Sequence, residues 1–271
     1  MLIGRLLLFR FIFVFDSSPI LIRMNRYGLI GFPLEHSFSK KYFARKFKKM
    51  GLSSTHVYEL FEFEFLRDFP SIWEKYHDLK GVNVTIPHKI DVMNFLDQLD
   101  DSAHKVGAVN VIKKKGDQLI GYNSDYYGFK RSLKNWIKDQ KPEALILGSG
   151  GSSHSVQVAL EELGIEYEVV SRTPDKGDFT YSEFDKNVAL FQHYQLIINT
   201  TPIGMFPKVE NGPPIPFGSL HEGQYVFDLI YNPEKTLLLK EAEKRGAKIK
   251  NGAEMLELQA ERAWEIWTTQ D

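Results

Sequence analysis

Ala144-Leu145-Ile146-Leu147-Gly148-Ser149-Gly150-Gly151-Ser152-Ser153 is the stretch of this 271-residue chain that decides the fold of its second half. The first four residues form a continuous apolar run, which is typical of a strand buried on both faces of a parallel sheet. The glycines that follow allow a tight turn. The helix predicted after them, to about Leu163, would begin with unpaired N–H groups and the positive end of its dipole. The arrangement predicts that Gly148 to Ser152 bind the pyrophosphate of a dinucleotide.

Strand and helix patterns alternate after that turn. Gly164 ends the first helix, because glycine readily takes the left-handed conformation found at helix ends, and residues 165–170 are predicted to form the next strand. Apolar runs at 196–198 and 225–230 and a helix at 234–245 continue the alternation. This pattern predicts an α/β fold with a parallel sheet of the Rossmann type.

The end of the second of these strands indicates which dinucleotide would bind. An NAD site usually offers an acidic side chain there for the ribose 2′-hydroxyl, whereas this chain offers Ser171, Arg172 and Thr173. A guanidinium can clamp a 2′-phosphate, and neighbouring hydroxyls can add hydrogen bonds. Glu168 is an acidic counter-signal, but it falls inside the strand, too early for its end. These residues favour NADP.

The first half of the chain is predicted to be a second α/β region. Its patterns predict strands at 27–31, 57–60 and 82–86, helices at 37–50, 65–76 and 89–99, and a hairpin of strands 109–114 and 118–122. Further along, residues 206–216 are rich in proline and glycine and are predicted to be a loop, and residues 254–267 are predicted to form the last helix.

Asn83-Val84-Thr85-Ile86-Pro87-His88-Lys89 contains the first candidate for chemistry. An alternating strand pattern ends at Pro87, which cannot donate a hydrogen bond to a strand ladder, and Lys89 follows just beyond it. Asn83 and Thr85 share one face of that strand. A strand end is a rigid place from which a lysine can meet a substrate atom at hydrogen-bond distance.

The composition excludes several classes of function. The formal net charge of −1 gives no electrostatic case for binding nucleic acid or an anionic membrane. No cysteine is present, which excludes disulfides, thiolate catalysis and cysteine-based metal centres and fits a reducing cytoplasm. The eight histidines are scattered without a pair at ligand spacing. These features predict a cytoplasmic protein without a metal. We further expect it to be a monomer or homodimer that acts on a small molecule.

Residues 1–23 differ from the rest of the chain. Residues 6–15 are apolar apart from Arg10, and this run is shorter than the roughly 20 residues that span a bilayer. The segment loosely resembles a signal-peptide core, but Ser17-Ser18-Pro19 is a poor cleavage site. Met24 comes shortly before the first predicted strand. We expect the protein to start at Met24, with a targeting segment as the alternative.

Three further segments place polar groups near predicted turns and strand ends: Gly31-Phe32-Pro33-Leu34-Glu35-His36-Ser37-Phe38-Ser39, Gly107-Ala108-Val109-Asn110 and Gly121-Tyr122-Asn123-Ser124-Asp125. Together with Asn83 to Lys89, the glycine turn, Ser171 to Thr173, Ile198-Asn199-Thr200-Thr201 and Gln259, they resemble the shikimate dehydrogenase family in order along the chain. The resemblance runs from Tyr27 to about Trp267. So many ordered matches are far more specific than any single motif.

The resemblance implies a reversible reaction of the shikimate pathway of aromatic amino acid (chorismate) biosynthesis, in which 3-dehydroshikimate and NADPH give shikimate and NADP. It implies that Ser37 and Ser39 hold the substrate carboxylate. Lys89 would be the general acid/base at the carbonyl, paired with Asp125. The residues that it places at the ring hydroxyls are Asn83, Thr85, Asn110, Asp125 and Gln259, with Tyr231 near the substrate.

The cofactor residues implied by the resemblance are Asn199, Thr200 and Gly252, besides the glycine turn and Ser171, Arg172 and Thr173. Two departures weaken the expected hold on a 2′-phosphate. Ser171 stands where the family has asparagine, and His154 stands where a basic residue often follows the glycine turn. Glu254 occupies a position where the family often has a small residue, and the sequence offers no account of it.

Two other functions stay open from the sequence. A related dehydrogenase acting on quinate or another hydroxy-cyclohexane acid, with NAD or NADP, would use the same serines and the same Lys89–Asp125 pair. A non-catalytic NADP-binding regulator could share the fold, since fold does not fix function. The intact pair argues against the regulator, because a binding module has no need of it.

The predicted architecture has two domains with the active site in the cleft between them. After the N-terminal extension at 1–23, residues 24–124 are expected to form an α/β substrate-binding domain. Residues 125–250 would form the Rossmann-type NADP domain. Residues 251–271 would then return to the substrate domain as a C-terminal helix.

Overall fold

The computed structural model of the protein describes residues 24–35 and 37–269. The predictions for residues 1–23, for His36 of the first serine motif and for residues 270–271 lie outside the described residues. The described part contains two six-stranded sheets, one in each half of the chain. No helix within it is both long enough and apolar enough to cross a membrane.

The first sheet is mixed. Its strands are β1 (Asn25–Gly31), β2 (His56–Glu62), β3 (Leu79–Val84), β4 (Gln98–Leu99), β5 (Val111–Lys115) and β6 (Gln118–Tyr122). They lie in the order β2-β1-β3-β5-β6-β4, and β5 runs antiparallel to both of its neighbours. The helices of this half are α1 (Phe38–Lys49), α2 (Ser71–Lys75) and α3 (Asp101–Val106), with short 3₁₀ turns at Leu66–Asp68 and Asp91–Phe95.

The second sheet is parallel at every described pairing. Helix α4 (Asp125–Ile137) leads into it, and its strands are β7 (Ala144–Leu147), β8 (Tyr167–Ser171), β9 (Phe179–Thr180), β10 (Leu196–Asn199), β11 (Tyr225–Asp228) and β12 (Lys248–Lys250). The order β12-β11-β10-β7-β8-β9 is that of a Rossmann fold. The remaining helices are α5 (Gly151–Leu163), α6 (Tyr181–Lys186), α7 (Val188–His193), α8 (Leu237–Lys244) and α9 (Ala253–Thr268), with 3₁₀ turns at Pro174–Lys176 and Phe217–Ser219.

Each sheet is covered on both faces by a hydrophobic cluster. Successive residues of a strand belong to opposite clusters. Leu29 and Ile30 of β1 do so in the first sheet, and Leu145 and Ile146 of β7 do so in the second. This explains why the strands of the second sheet are continuously apolar in sequence: both of their faces are buried. The predicted α/β class, with a Rossmann-type parallel sheet and a second α/β region, is confirmed.

Helix α9 connects the cores of the two halves. Met255 in its first turn belongs to a cluster of the second sheet, whereas Trp264 and Trp267 belong to a cluster of the first. The indole N–H of Trp267 donates to the carbonyl of Ile112 at 3.0 Å. The helix therefore leaves the second sheet and ends against β5 of the first.

Two predicted helices of the first half are wrong: one is divided and much shorter than predicted, and the other is not an α-helix. The pattern at 65–76 forms a 3₁₀ turn and the short helix α2, because Pro70 stands between them and cannot supply a backbone hydrogen-bond donor. The helix predicted at 89–99 is a 3₁₀ turn followed by strand β4, and α3 begins shortly afterwards with Asp100 as its cap. The strand predicted at 82–86 ends at Val84.

Candidate active site

A cavity of about 530 Å³ lies between the two halves of the molecule. All nine residues predicted for catalysis and substrate binding line this cavity: Ser37, Ser39, Asn83, Thr85, Lys89, Asn110, Asp125, Tyr231 and Gln259. Only Tyr231 among these nine follows a strand of the second sheet, β11, and the others belong to the first half, to α4 or to α9. The fold thus gathers residues that are far apart in sequence around a single space.

Lys89 and Asp125 form an ion pair in the wall of the cavity. The Lys89 ammonium lies 2.6 Å from Oδ2 of Asp125, and both side chains are largely buried. Lys89 lies in the loop after β3, where its carbonyl accepts a hydrogen bond from the amide of Val109 at 2.8 Å. Asp125 is the first residue of α4, where the helix dipole favours a negative charge. The loop after β3 therefore holds the ammonium, and the start of α4 holds the carboxylate that pairs with it.

Hydrogen bonds also fix the side-chain amides of the site. Oδ1 of Asn110 accepts from the backbone amide of Ser124 at 2.7 Å, and Nδ2 of Asn110 lies 3.4 Å from Oε1 of Gln259. Oδ1 of Asn83 accepts from the hydroxyl of Tyr58 at 2.8 Å, and its Nδ2 donates to the carbonyl of Asn110 at 3.2 Å. One N–H of Asn83 is left for a ligand, whereas Nδ2 of Asn110 also donates to the hydroxyl of Ser124 at 3.1 Å, so both of its N–H groups have partners in the protein.

Close packing of α4 against α9 brings Gln259 to the same cavity as Asp125. A Cβ at Gly128 of α4 would lie 2.7 Å from the carbonyl oxygen of Met255 and 3.1 Å from Cβ of Gln259. Any side chain at Gly128 would therefore push the two helices apart. The sequence did not predict this contact, because a single glycine within a helical pattern does not by itself indicate a close approach of another helix.

The serine end of the cavity contains a buried hydroxyl. Ser37 lies immediately before α1, and its side chain makes no capping hydrogen bond to that helix. Within the described residues its hydroxyl is buried without any hydrogen-bond partner. The first turn of α1 contains no acidic residue that would offset the positive end of its dipole. A buried hydroxyl without a partner beside a helix start fits an anionic group of a ligand.

Some cavity residues were not expected from the sequence. Met205 and Phe206 line the cavity from the second half, and both are partly exposed. Phe206 begins the loop predicted at 206–216, and Met205 comes just before it. Phe38 of α1 also lines it, with its ring 5.6 Å from the ring of Tyr231. Met205 and Phe206 could have been noticed in the sequence as large apolar residues in a proline-rich loop. Tyr58, which bonds to Asn83 behind the cavity, could not, because an aromatic residue in a strand is ordinary.

The predicted glycine turn lies at the carboxyl end of the second sheet. Gly148 follows β7 with φ of 105°, a conformation that favours glycine. A Cβ there would lie 2.8 Å from Cγ2 of Thr201, in the loop after β10. The hydroxyl of Thr200 donates to the carbonyl of Leu147 at 2.8 Å. The turn and this loop thus meet where the strand order reverses, which is the place where Rossmann folds bind ligands.

The donors around this turn fit a dinucleotide carrying a 2′-phosphate. Helix α5 begins at Gly151, and its first N–H groups have no acceptors within the helix. A Cβ at Gly150 or Gly151 would meet no atom within 4 Å, which leaves open space beside those amides. At the end of β8, the hydroxyl of Ser171 lies 3.0 Å from that of Ser149, and the side chain of Arg172 is exposed.

Other residues near this edge agree with that fit. Glu168 lies inside β8 as predicted, where it accepts a hydrogen bond from the hydroxyl of Tyr194, so it is not at the strand end. Gly252 precedes α9, and its amide donates to the carbonyl of Ile230 at 3.1 Å.

Among the residues that the structure describes, no group of three or more histidine, aspartate or glutamate side chains could hold a metal ion.

A buried carboxylate supports the loops at this edge from beneath. Oδ1 of Asp228, at the end of β11, accepts from Nδ2 of Asn199 at 3.0 Å and from the amide of Ile230 at 3.1 Å. Its Oδ2 accepts from the hydroxyl of Thr236 at 2.6 Å. Oδ1 of Asn199 accepts from the amide and hydroxyl of Thr201. Burial raises the pKa of Asp228 to about 6, although these hydrogen bonds oppose the shift.

The structure gives Glu254 a role that the sequence could not. Its carboxylate accepts hydrogen bonds from Asn135 at 2.7 Å and from Ser132 at 3.2 Å, both on α4, and it pairs with Lys250. Desolvation would raise its pKa, but the hydrogen bonds and the lysine together lower it. Glu254 therefore fastens the start of α9 to α4.

Known proteins resemble the chain in both sequence and fold. The sequence profile of the shikimate dehydrogenase substrate binding domain matches residues 29–112. Shikimate dehydrogenase (NADP(+)) of Caldicellulosiruptor saccharolyticus is 36% identical over 260 residues, which cover 90% of this chain and 92% of that protein.

Two solved structures extend the likeness to the fold. A shikimate dehydrogenase in complex with NADP+ is 34% identical, with a TM-score of 0.80 and 90% of each chain covered. The enzyme of Thermus thermophilus in complex with NADP(H) and shikimate is 30% identical, with a TM-score of 0.80 over 90% of this chain and 94% of that one. The sequence identity and the shared fold extend over nearly the whole chain, and the chain therefore belongs to the shikimate dehydrogenase family.

Proposed function

We propose that this protein catalyses the reversible reduction of 3-dehydroshikimate to shikimate with NADPH. The observation that carries the proposal is the convergence of the nine predicted residues on one cavity, with the Lys89–Asp125 pair in its wall. The cavity lies between residues of the first half and the loops that follow β10 and β11 of the second sheet. A ring bound in it would face the cofactor domain.

The substrate carboxylate binds at the serine end. The unpartnered hydroxyl of Ser37 gains an acceptor, Ser39 adds a second hydroxyl, and the start of α1 adds its positive dipole end. Asn83, Thr85, Asn110 and Gln259 then bind ring oxygens, and Tyr231 closes the cavity from the second half. These contacts fix which ring carbon lies beside Lys89.

Lys89 and Asp125 handle the proton. The carbonyl carbon would receive a hydride from NADPH when that cofactor is bound. As negative charge develops on the carbonyl oxygen, the ammonium of Lys89 stabilises it and donates a proton to it. Asp125 orients the ammonium and compensates its charge inside the cavity. In the reverse direction, Lys89 accepts the proton from the substrate hydroxyl.

The cofactor is held by the turn and strand ends of the second sheet. Gly148 to Ser152 and the start of α5 would hold the pyrophosphate, and Thr200 and Gly252 would add further contacts, with the buried Asn199 holding the loop of Thr200 from behind. Ser171, Arg172 and Thr173 would hold the 2′-phosphate. The support for NADP over NAD is the exposed guanidinium of Arg172 beside two hydroxyls, with no acidic side chain at the end of β8.

The test is reduction of NADP+ by the purified full-length chain with shikimate, measured by the absorbance of the reduced nicotinamide. Quinate and NAD+ are assayed beside shikimate and NADP+ under the same conditions. Turnover that is fastest with shikimate and NADP+ supports the proposal. Faster turnover with quinate would indicate the related dehydrogenase. A folded protein that binds NADP+ but turns over neither substrate would contradict the proposal and favour a non-catalytic regulator.

The setting of the reaction is part of the same proposal. The protein acts on small molecules in the cytoplasm, as a monomer or homodimer, without a nucleic-acid or membrane partner. The support is its formal net charge of −1 and its lack of cysteine. Light scattering on the purified protein gives the oligomeric state, and a mass above that of a dimer would contradict this part.

A further inference from the structure

Tyr58 lies behind the cavity wall and contacts Asn83, one of the residues in it. It sits on β2, is buried, and stacks on Phe43 with 4.5 Å between ring centroids. Its hydroxyl donates to Oδ1 of Asn83 at 2.8 Å. Burial raises the pKa of Tyr58, although the nearby hydroxyl of Ser39 opposes the shift, so the phenol keeps its proton. Tyr58 thus supports the ring end of the cavity from behind.

The direction of the bond between Tyr58 and Asn83 is determined by the groups involved. The amide oxygen of Asn83 can only accept, so the single phenol proton of Tyr58 goes to that oxygen.

Two partners together prevent the amide of Asn83 from flipping. The carbonyl of Asn110 can only accept, and Nδ2 of Asn83 faces it at 3.2 Å. Tyr58 donates on the opposite side. A flip would set the oxygen of Asn83 against the carbonyl of Asn110 and leave the phenol proton without its acceptor. One N–H of Asn83 is left over, and it can only donate.

We propose that Tyr58 is a positioning residue for substrate binding, which fixes Asn83 as a hydrogen-bond donor toward the cavity. A ring oxygen opposite Asn83 is then bound as an acceptor, and its own proton remains for another group. This inference rests on the proposed function and adds to it a residue that contacts neither the substrate nor the cofactor.

The experiment compares Tyr58→Phe with the wild-type protein in the shikimate assay. The variant loses only the hydroxyl and keeps the ring that stacks on Phe43. We expect the KM for shikimate to rise about tenfold, with kcat and the KM for NADP+ nearly unchanged. Tyr27→Phe is the matched control, because Tyr27 is also buried in this aromatic cluster. It should leave all three constants unchanged.

A double-mutant cycle separates positioning from general support of the fold. If Tyr58 acts through Asn83, then adding Tyr58→Phe to Asn83→Ala raises the KM for shikimate no further. Additive effects of the two substitutions, or a KM unchanged in Tyr58→Phe alone, would overturn the proposal. A fall in kcat together with a rise in the KM for NADP+ would also overturn it, because it would indicate a general structural defect.

A measurement without turnover keeps this inference separate from the proposed function. In the ligand-free protein, the side-chain N–H protons of Asn83, identified by their loss in Asn83→Ala, should exchange with solvent faster in Tyr58→Phe. Unchanged exchange would refute the positioning role. If the wild-type protein fails to oxidise shikimate, the proposed function is wrong, and this exchange experiment still decides the role of Tyr58.

Discussion

The two halves of the molecule face two buried aspartates that act in opposite ways. Asp125, at the start of α4, lines the cavity and pairs with the ammonium of Lys89 from the first half at 2.6 Å. In the second half, Asp228 lies beneath the edge of the sheet and is bonded only to neutral donors, with no cation at ion-pair distance in the described part of the chain. The first carboxylate belongs to the site, and the second supports the loops that form it.

This difference follows from what each half has to bind. A small ring with several oxygens is recognised by side chains whose donors and acceptors are set in advance, as for Asn83 and Asn110. A dinucleotide is met by backbone amides and a helix start, so its site needs loops of fixed shape more than polar side chains. Substitutions in the first half should therefore change chemistry and substrate binding, and those in the second half should change cofactor binding or stability.

The largest effect is expected at Lys89. Lys89→Ala removes the proton donor and should lower kcat by about 10²- to 10⁴-fold, which is the usual contribution of a general acid/base. The affinity for NADP+, measured by calorimetry, should change little. Lys41→Ala removes an exposed lysine of α1 and should leave kcat unchanged. A kcat within a few-fold of wild type in Lys89→Ala would show that another group moves the proton.

The buried aspartate of the second half should appear in the pH dependence of stability. Its pKa is about 6 in the folded protein, against an ordinary value of 3.8. The folded state then binds this proton more tightly than the unfolded state, so the free energy of unfolding falls as pH rises from about 4 to about 6. At roughly 1.4 kcal/mol per pKa unit, the total is about 3 kcal/mol.

Asp228→Asn cannot titrate and should remove that part of the pH dependence. Urea unfolding of both proteins on either side of this pH range measures the difference. Asp175→Asn, at an exposed aspartate, is the control and should follow the wild-type profile. If the profile of Asp228→Asn also runs parallel to that of the wild type, the carboxyl group of Asp228 has no raised pKa.

Gly148 offers a change confined to the cofactor loops. Gly148→Ala would hold an alanine at φ of 105° with its Cβ 2.8 Å from Thr201. Strain of this kind costs about 1–3 kcal/mol, so the KM for NADP+ should rise about tenfold or more, while calorimetric binding of shikimate stays the same. Gly218→Ala adds a Cβ where no atom lies within 4 Å and should have no effect. Equal losses for both ligands would mean that the halves are not independent.

The smallest expected effect is at the 2′-phosphate. Arg172→Gln removes an exposed cation, and the ratio of kcat/KM with NADP+ to that with NAD+ should fall about tenfold. Added salt should reduce the wild-type preference toward that of the variant, since exposed charges are screened. Arg131→Gln, at another exposed arginine, controls for net charge. A ratio that stays the same in Arg172→Gln would place the 2′-phosphate elsewhere.

The sequence predicts the second half better than the first for a physical reason. Strands such as β7 and β10 are buried on both faces, so they stand out as continuous apolar runs. The segments at 65–76 and 89–99 form 3₁₀ turns, the short helix α2 and a two-residue strand. Their form depends on tertiary contacts and on Pro70 rather than on a repeating pattern. Periodicity carries little information over such lengths.

The site shows the same division. Lys89, Asp125 and the serines were predicted because they belong to motifs, and the structure gathers them. Tyr58 and Glu254 were not predicted, because their importance lies in partners that are distant in sequence. Asn83 is 25 residues from Tyr58, and Ser132 is 122 residues from Glu254. Hydrogen bonds of that kind exist only once the chain has folded.

The last helix has a consequence for how the protein is made. Trp264 and Trp267 complete the cluster around Tyr27 and Phe43, and these partners are separated by more than two hundred positions. While the ribosome is still synthesising the end of the chain, the half that emerged first lacks the cover of its aromatic core. That half can bury those rings only after the other half has emerged, so premature termination near the end would damage the region synthesised first.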